Sequence, residues 1–213
     1  MTPLIESLGE RQYLSPLRRA GPGVVKFKTD RDQILCDDRA NGGLQTGRLS
    51  ELPRAFEIAG PRERTYFDPE KTVVALLTCG GLSPGLNDVI RGIVMELWHG
   101  YRVREILGIR YGFEGMVLKN GHHPFKLRPE AVSSIHSFGG TILGTSCGAQ
   151  EIDAMEDLGV DILFTIGGEG TLKGASALHI PLKLITQSRR KIDPEGDVWR
   201  FVLEATGQPP RML

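Results

Sequence analysis

Apolar positions are sparse before Lys71 and dense after it. "TVVALLT" (72–78) is an unbroken apolar run rich in β-branched residues, which predicts a strand buried on both faces. "CGGLSPGLN" follows as a turn. Val89, Ile90, Ile93, Val94, Leu97 and Trp98 then recur in pairs spaced by four, one face of an amphipathic helix that Gly100 would stop. "REILGI" (104–109) reads as the next strand, so the unit is βαβ, its strands parallel and its crossover right-handed. Further on, "PEAVSSIHSF" (129–138) predicts a helix, "TILGTS" (141–146) a short strand or turn, and "AQEIDAMEDLG" (149–159) a helix closed by Gly159. "DILFTIG" (161–167) predicts another buried strand, with a helix starting near Thr171. Strands alternating with helices, with glycine turns at strand ends, predict a doubly wound, Rossmann-like α/β fold around a parallel sheet.

Residues 1–70 lack that periodicity. They are polar, punctuated by "AGPG" (20–23), "NGG" (41–43) and "AGPRER" (59–64), with Val24–Phe27 as a short strand candidate. The chain therefore divides into an N-terminal arm or cap (1–70), an α/β domain (71–175) and a tail (176–213).

Composition narrows the classes. Of 213 residues, 40% are hydrophobic and 24% charged, and 26 basic residues balance 26 acidic ones. A neutral chain offers no electrostatic reason for a nucleic-acid or membrane-surface partner. Cys36, Cys79 and Cys147 are scattered and form no CxxC pair, which suits a reducing cytoplasm better than a disulfide scaffold. "MTPLIESLGERQYLSPLRRAGPG" contains no long apolar run, so neither a signal peptide nor a spanning segment is expected there. His122 and His123 are neighbours, but no HExxH or similar ligand spacing accompanies them; they read as surface histidines rather than a zinc site.

Two glycine turns carry the candidate chemistry. In doubly wound sheets ligands sit beyond the carboxyl ends of the strands, where helix starts present free N–H groups. In "GGLSPG", Gly80 and Gly81 remove side chains where a phosphate would approach, and Pro84-Gly85 sets the bend. Asn87 or Asp88 can cap the helix, and Arg91 offers a cation one turn in. A plain tight connection is the other reading of this turn. The spacing G-G-x-x-x-G is not the dinucleotide fingerprint, although Glu105 stands about where a ribose-binding acid would, and no GK[ST] follows as in a Walker loop. In "GGEGT", Gly167, Gly168 and Gly170 allow close backbone approach. Glu169 is the one group there able to face a metal, and Thr171 can cap a helix or donate to a phosphate.

These residues resemble the phosphofructokinase family. "TCGGLSPGLNDVIRGIV" (78–94) is similar to its first phosphate loop and helix, "GIRYGFEG" (108–115) and "GGTILGTS" (139–146) to the segments that follow, and "IGGEGTLKGA" (166–175) to its GGDGT or GGDGS loop. "FEIAGPRERTYF" (56–67) resembles the lead-in of the longer ATP-using branch of plants and many bacteria. The resemblance implies an ATP-dependent 6-phosphofructokinase: phosphoryl transfer from ATP to fructose 6-phosphate in glycolysis, in a cytoplasmic homo-oligomer using Mg²⁺. By position it places Gly80 and Gly81 on the nucleotide phosphates, Phe113 near the adenosine, and Cys147 with Gly148 at the next ATP-binding segment. Gly168, Glu169, Gly170 and Thr171 would form the loop for Mg²⁺ and triphosphate, with Glu169 as the metal's carboxylate. Gly170 favours ATP over pyrophosphate, because pyrophosphate-using relatives tend to carry a carboxylate there.

Three departures from the family pattern stand out. Glu169 replaces the usual aspartate; one methylene moves a carboxylate by roughly 1.5 Å, and a misplacement on the order of 1 Å can cost about a hundredfold in rate. Mg²⁺ insists on near-octahedral geometry, although an intervening water could absorb part of the shift. Cys147 replaces the arginine of "TSR", and a thiol offers neither its charge nor its fork of donors. The PKTIDND segment, whose aspartate takes the sugar hydroxyl's proton, has no counterpart; "RRKIDPEGD" (189–197) lacks the motif, and Asp193 is not a candidate.

The expectation is thus the nucleotide-binding half of a phosphofructokinase homologue, with no catalytic residue of its own and inactive alone, its tail altered by a premature stop or frame change near Ser176. The alternative from another class is a non-catalytic subunit that senses nucleotide through the retained loops. A lipid- or NAD-kinase-like protein is the lesser alternative, since those also use GGDGT but lack the GGLSPGLN and AGPR segments.

Overall fold

The computed structural model describes residues 10–35, 55–146, 158–171 and 174–175. In the arm, β1 (Tyr13–Leu14), β2 (Gln33–Leu35), β3 (Ala55–Glu57) and β4 (Arg64–Thr65) form two antiparallel ribbons, β1 with β4 and β2 with β3. Val24–Phe27 is turn and irregular chain rather than the expected strand; Gly21 and Gly23, both at positive φ, turn the chain there and leave Val24 exposed.

Beyond the arm, a four-stranded sheet runs in the order β7-β6-β5-β8. Its strands are β5 (Val73–Thr78), β6 (Glu105–Gly108), β7 (Phe125–Lys126) and β8 (Ile162–Ile166). β5 lies parallel to β6 on one side, with Val74 opposite Ile106, and parallel to β8 on the other, with Leu76 opposite Phe164. β7 is antiparallel to β6, so the expected parallel sheet is mixed at one edge. A chain leaving a short strand by a loop can return along its flank without a crossover helix.

Val74, Ala75, Leu76 and Leu77 have no solvent exposure, and the two-sided packing explains the unbroken run. On one face Val74, Leu76, Ile106, Ile162 and Phe164 meet Ile90, Val94 and Leu97 of the following helix, together with Val132, Ile135 and Leu143. On the other, Ala75, Leu77 and Leu163 meet Ile109, Phe113, Met116 and Ala175. A strand covered on both faces has no polar side to alternate with.

α1 (Leu86–Met95) continues into one π-helical turn, Glu96–Gly100. Its buried stripe is Leu86, Asn87, Ile90 and Val94. Val89, expected on that stripe, is instead 39% exposed, because it lies about 100° round the helix from Ile90. The expected helix over 129–138 breaks into α2 (Pro129–Val132) and a 3₁₀ turn at Ile135–Ser137. Thr141–Ser146 is turn and irregular chain. Gly159 has φ of 60°, as suits a helix end; most of the helix expected before it lies outside the described residues, as do Cys36 and the tail.

Candidate functional site

The carboxyl ends of β5, β6 and β8 lie side by side, so the loops that leave them meet. The meeting point is Cys79, 7% exposed. Its amide donates to Ile166 O (3.0 Å), continuing the β5–β8 ladder by one bond. Its thiol donates to Ser146 O (2.9 Å), and its own carbonyl accepts the Thr171 hydroxyl (3.0 Å).

Around it, neutral side chains tie the loops together. Gly80 donates its amide to Ser146 O (3.0 Å), and its carbonyl accepts Thr145 Oγ1 (2.5 Å). Ser146 Oγ donates to Tyr111 O (2.6 Å), while Tyr111 N donates to Leu143 O (2.8 Å). One residue before Cys79, Thr78 Oγ1 donates to Gly144 O (2.6 Å). A hydroxyl has one proton, so Thr141 is the donor in the 3.0 Å contact between Thr141 and Thr78.

Asn87 does not cap α1. The N-cap is Gly85, left-handed at φ of 87°, with no side-chain capping bond. The Asn87 amide, 2% exposed, instead donates to Phe138 O (3.0 Å) and accepts from Ile142 N (2.9 Å). It staples the 138–146 loop to the helix. Arg91 lends its Nε to Ser133 O at 3.3 Å.

The candidates from the sequence divide into two groups. Gly81, Gly168, Glu169 and Gly170 are exposed on the rim, and a Cβ built on any of these three glycines meets nothing within 4 Å. Gly80 lies just behind them at φ of 94°. Thr171 and Phe113, each 2% exposed, are buried beneath the rim. Phe113 fills the gap between the turn after β6 and the helical residues after β8; a Cβ on Gly174 would come 3.0 Å from its Cζ. The Thr171 proton expected for a phosphate is directed at Cys79. Cys147 and Gly148 lie outside the described residues.

Sequence reasoning missed why Gly167 is glycine. A Cβ there would be driven into Thr171 Oγ1 and Cys79 O, so that glycine serves contact between the loops rather than a ligand. Thr145 and Ser146 were also missed as ties, though hydroxyls beside a glycine-rich segment could have suggested it.

The glycine rim fits a phosphate chain: open space, backbone amides and no side chain in the way. For a divalent cation the donor set is thinner. Among the described residues no group of three or more His, Cys, Asp or Glu could hold a metal. Mg²⁺ needs only one or two protein carboxylates where phosphates and waters complete its shell, so one carboxylate, that of Glu169, is compatible with a metal that arrives with its phosphates. No helix among the described residues is long and apolar enough to cross a membrane.

Comparison with known proteins supplies the context. The phosphofructokinase family model matches residues 73–188, from β5 to beyond Ala175. The chain is similar to the ATP-dependent 6-phosphofructokinases of Trypanosoma cruzi (39% identical, 88% of this chain and 38% of that protein) and Trypanosoma brucei brucei (44%, 89% and 39%). It is also similar to that of Entamoeba histolytica (49%, 64% and 31%). It spans only 31% to 39% of the length of these curated relatives. Among solved structures, Pichia pastoris phosphofructokinase in the T-state aligns over 63% of this chain and 15% of that one, at 23% identity and a TM-score of 0.48. With a family match that begins on the central strand and takes in both glycine loops, the chain belongs to the phosphofructokinase family.

Proposed function

We propose that the carboxyl edge of this sheet binds the phosphates of ATP, as the nucleotide half of an ATP-dependent 6-phosphofructokinase. The observation that supports it most is the open rim itself: three glycines on two adjacent loops, each facing free space, above a tightly tied base. Relatives bearing that enzyme name align over 88% and 89% of this chain. Fructose 6-phosphate as acceptor, Mg²⁺ as counter-ion, a cytoplasmic setting and a homo-oligomeric assembly belong to the same reading.

In this reading Gly81, Gly168 and Gly170 admit the phosphates, and Gly80 shapes the turn beneath. Mg²⁺, when bound, would offset charge on the phosphoryl group, with Glu169 as its protein carboxylate. Thr171 and Phe113 hold the rim in place from below. What these 213 residues lack is a base for the sugar hydroxyl, since nothing corresponding to PKTIDND is present. Positioning without that base leaves phosphoryl transfer incomplete, so the chain binds nucleotide and does not turn over by itself.

Calorimetric titration of the 213-residue chain with ATP, with and without Mg²⁺, tests the site. Saturable binding that weakens on Glu169→Gln in the presence of Mg²⁺ is expected; absence of binding by a folded chain would overturn the reading. A coupled assay for fructose 1,6-bisphosphate should stay at background, and turnover by the purified chain would overturn the assignment of inactivity.

A further inference from the structure

We infer that Thr171 is a positioning residue: its hydroxyl clasps the loop after β8 to the loop after β5, and nucleotide affinity depends on that clasp rather than on a bond from Thr171 to phosphate. The inference rests on the nucleotide-binding reading of this edge.

Three observations converge on it. The Thr171 hydroxyl has one proton, and it points at Cys79 O from a position 2% exposed. Thr171 N donates to Gly168 O (3.0 Å), so the residue braces its own loop through the backbone while gripping the neighbouring loop through the side chain. Gly167 admits no Cβ, because Thr171 Oγ1 and Cys79 O occupy the space where one would stand. At this residue pair the loops approach closely enough to exclude a methyl group.

The clasp matters because the first loop has little freedom left to correct for its loss. Gly80 has both its amide and its carbonyl engaged with Ser146 and Thr145, which leaves Gly81 as the first glycine of that loop open to a ligand. Gly168 and Gly170 face open space on the second loop. A phosphate chain spanning both loops needs them at one fixed separation, and small misplacements are costly. The bond from Thr171 to Cys79 sets that separation at the base.

The test compares Thr171→Val, which removes the hydroxyl at nearly constant volume, with Thr171→Ser, which keeps it. Two quantities are read: affinity for Mg-ATP by calorimetry, and peptide-resolved hydrogen exchange of Cys79–Gly85 in nucleotide-free protein. The valine variant should bind Mg-ATP about tenfold more weakly, as expected for one lost hydrogen bond, and exchange about tenfold faster at Cys79 and Gly80. The serine variant should restore both to within about twofold. Weaker binding with unchanged exchange would mean that the hydroxyl acts on the ligand itself and would overturn the clasp; unchanged affinity with either exchange result would overturn it as well. If the valine variant does not fold, Thr171→Ala against Thr171→Ser carries the same comparison. Should wild-type protein fail to bind ATP, the functional reading falls, while exchange in the nucleotide-free chain still judges the contact between loops.

Discussion

The arm and the carboxyl edge of the sheet are both assembled from loops pinned by side chains, and they use opposite chemistry. In the arm the pins are charged. Arg62, 8% exposed, donates to Ile58 O (2.7 Å) and Gly60 O (3.0 Å), and pairs with Asp30 (3.3 Å) and Glu57 (3.7 Å). Arg11 pairs with the same two carboxylates and lies over the Tyr66 ring at 4.6 Å. At the sheet edge the named ties are neutral: hydroxyls of Thr78, Thr145, Ser146 and Thr171, the thiol of Cys79 and the amide of Asn87. A neutral scaffold holds loops without adding fixed charge where a polyanion and its cation would have to balance each other.

Removing the floor under the edge should have the largest effect. Leu76→Ala empties a fully buried site on the face of the sheet that α1 covers and should cost about 2–5 kcal/mol, read as a lower denaturant midpoint. An unchanged midpoint would mean that the sheet is not the stabilising centre. Next in size is Arg62→Met, which leaves two carbonyls and two carboxylates short of a partner. It should cost about 1–3 kcal/mol, visible as faster exchange at the Lys28 and Ile58 amides, which bond to Pro61 O and Asp32 O. The Cys79 and Gly80 amides should not respond, and equal acceleration at both places would dissolve the distinction between the regions.

Thr78→Val is the matching change at the edge. It deletes the bond to Gly144 and should cost about 1 kcal/mol, with faster exchange around the 141–146 turn and none in the arm.

Salt and acid should give the smallest effects, and only in the arm. Asp30 is 61% exposed at the side chain, so its pairs are screened and weak; raising salt should speed exchange of the arm amides and leave the edge unmoved. Hydrogen bonds from Thr29 N and Thr29 Oγ1, in that order of size, hold the Asp32 carboxyl below its ordinary value. A carboxylate so lowered contributes stability above the ordinary carboxylate range and loses it as pH falls through the folded value. The turn at Thr29–Asp32 should therefore loosen only in acid, and loosening near neutrality would contradict this account.

Much of the fold was legible from the chain alone. The run at 72–78 announced a strand covered on both faces because burial on two sides removes any reason for polar alternation, and the run before Gly167 announced β8 in the same way. The glycines at 81, 168 and 170 marked positions without side chains, and those three face open space. The periodicity of α1 was readable to within one position: the pairing of Val89 with Ile90 located the stripe but not which of the two turned outward.

What only the tertiary structure decided is the identity of each partner. Asn87 next to a helix start looks like a cap until the 138–146 loop is found against it. Gly167 looks like room for a ligand until Cys79 and Thr171 are seen to fill that room. Phe113, which the family resemblance sets near an adenosine, proves to be buried against Gly174. The reason is the range of the interactions. Hydrophobic period and glycine conformation are properties of a few consecutive residues, and a sequence displays them directly. A hydrogen bond between residues 79 and 171, or 87 and 138, depends on strand order and register, which bring together atoms that nothing local in the chain relates.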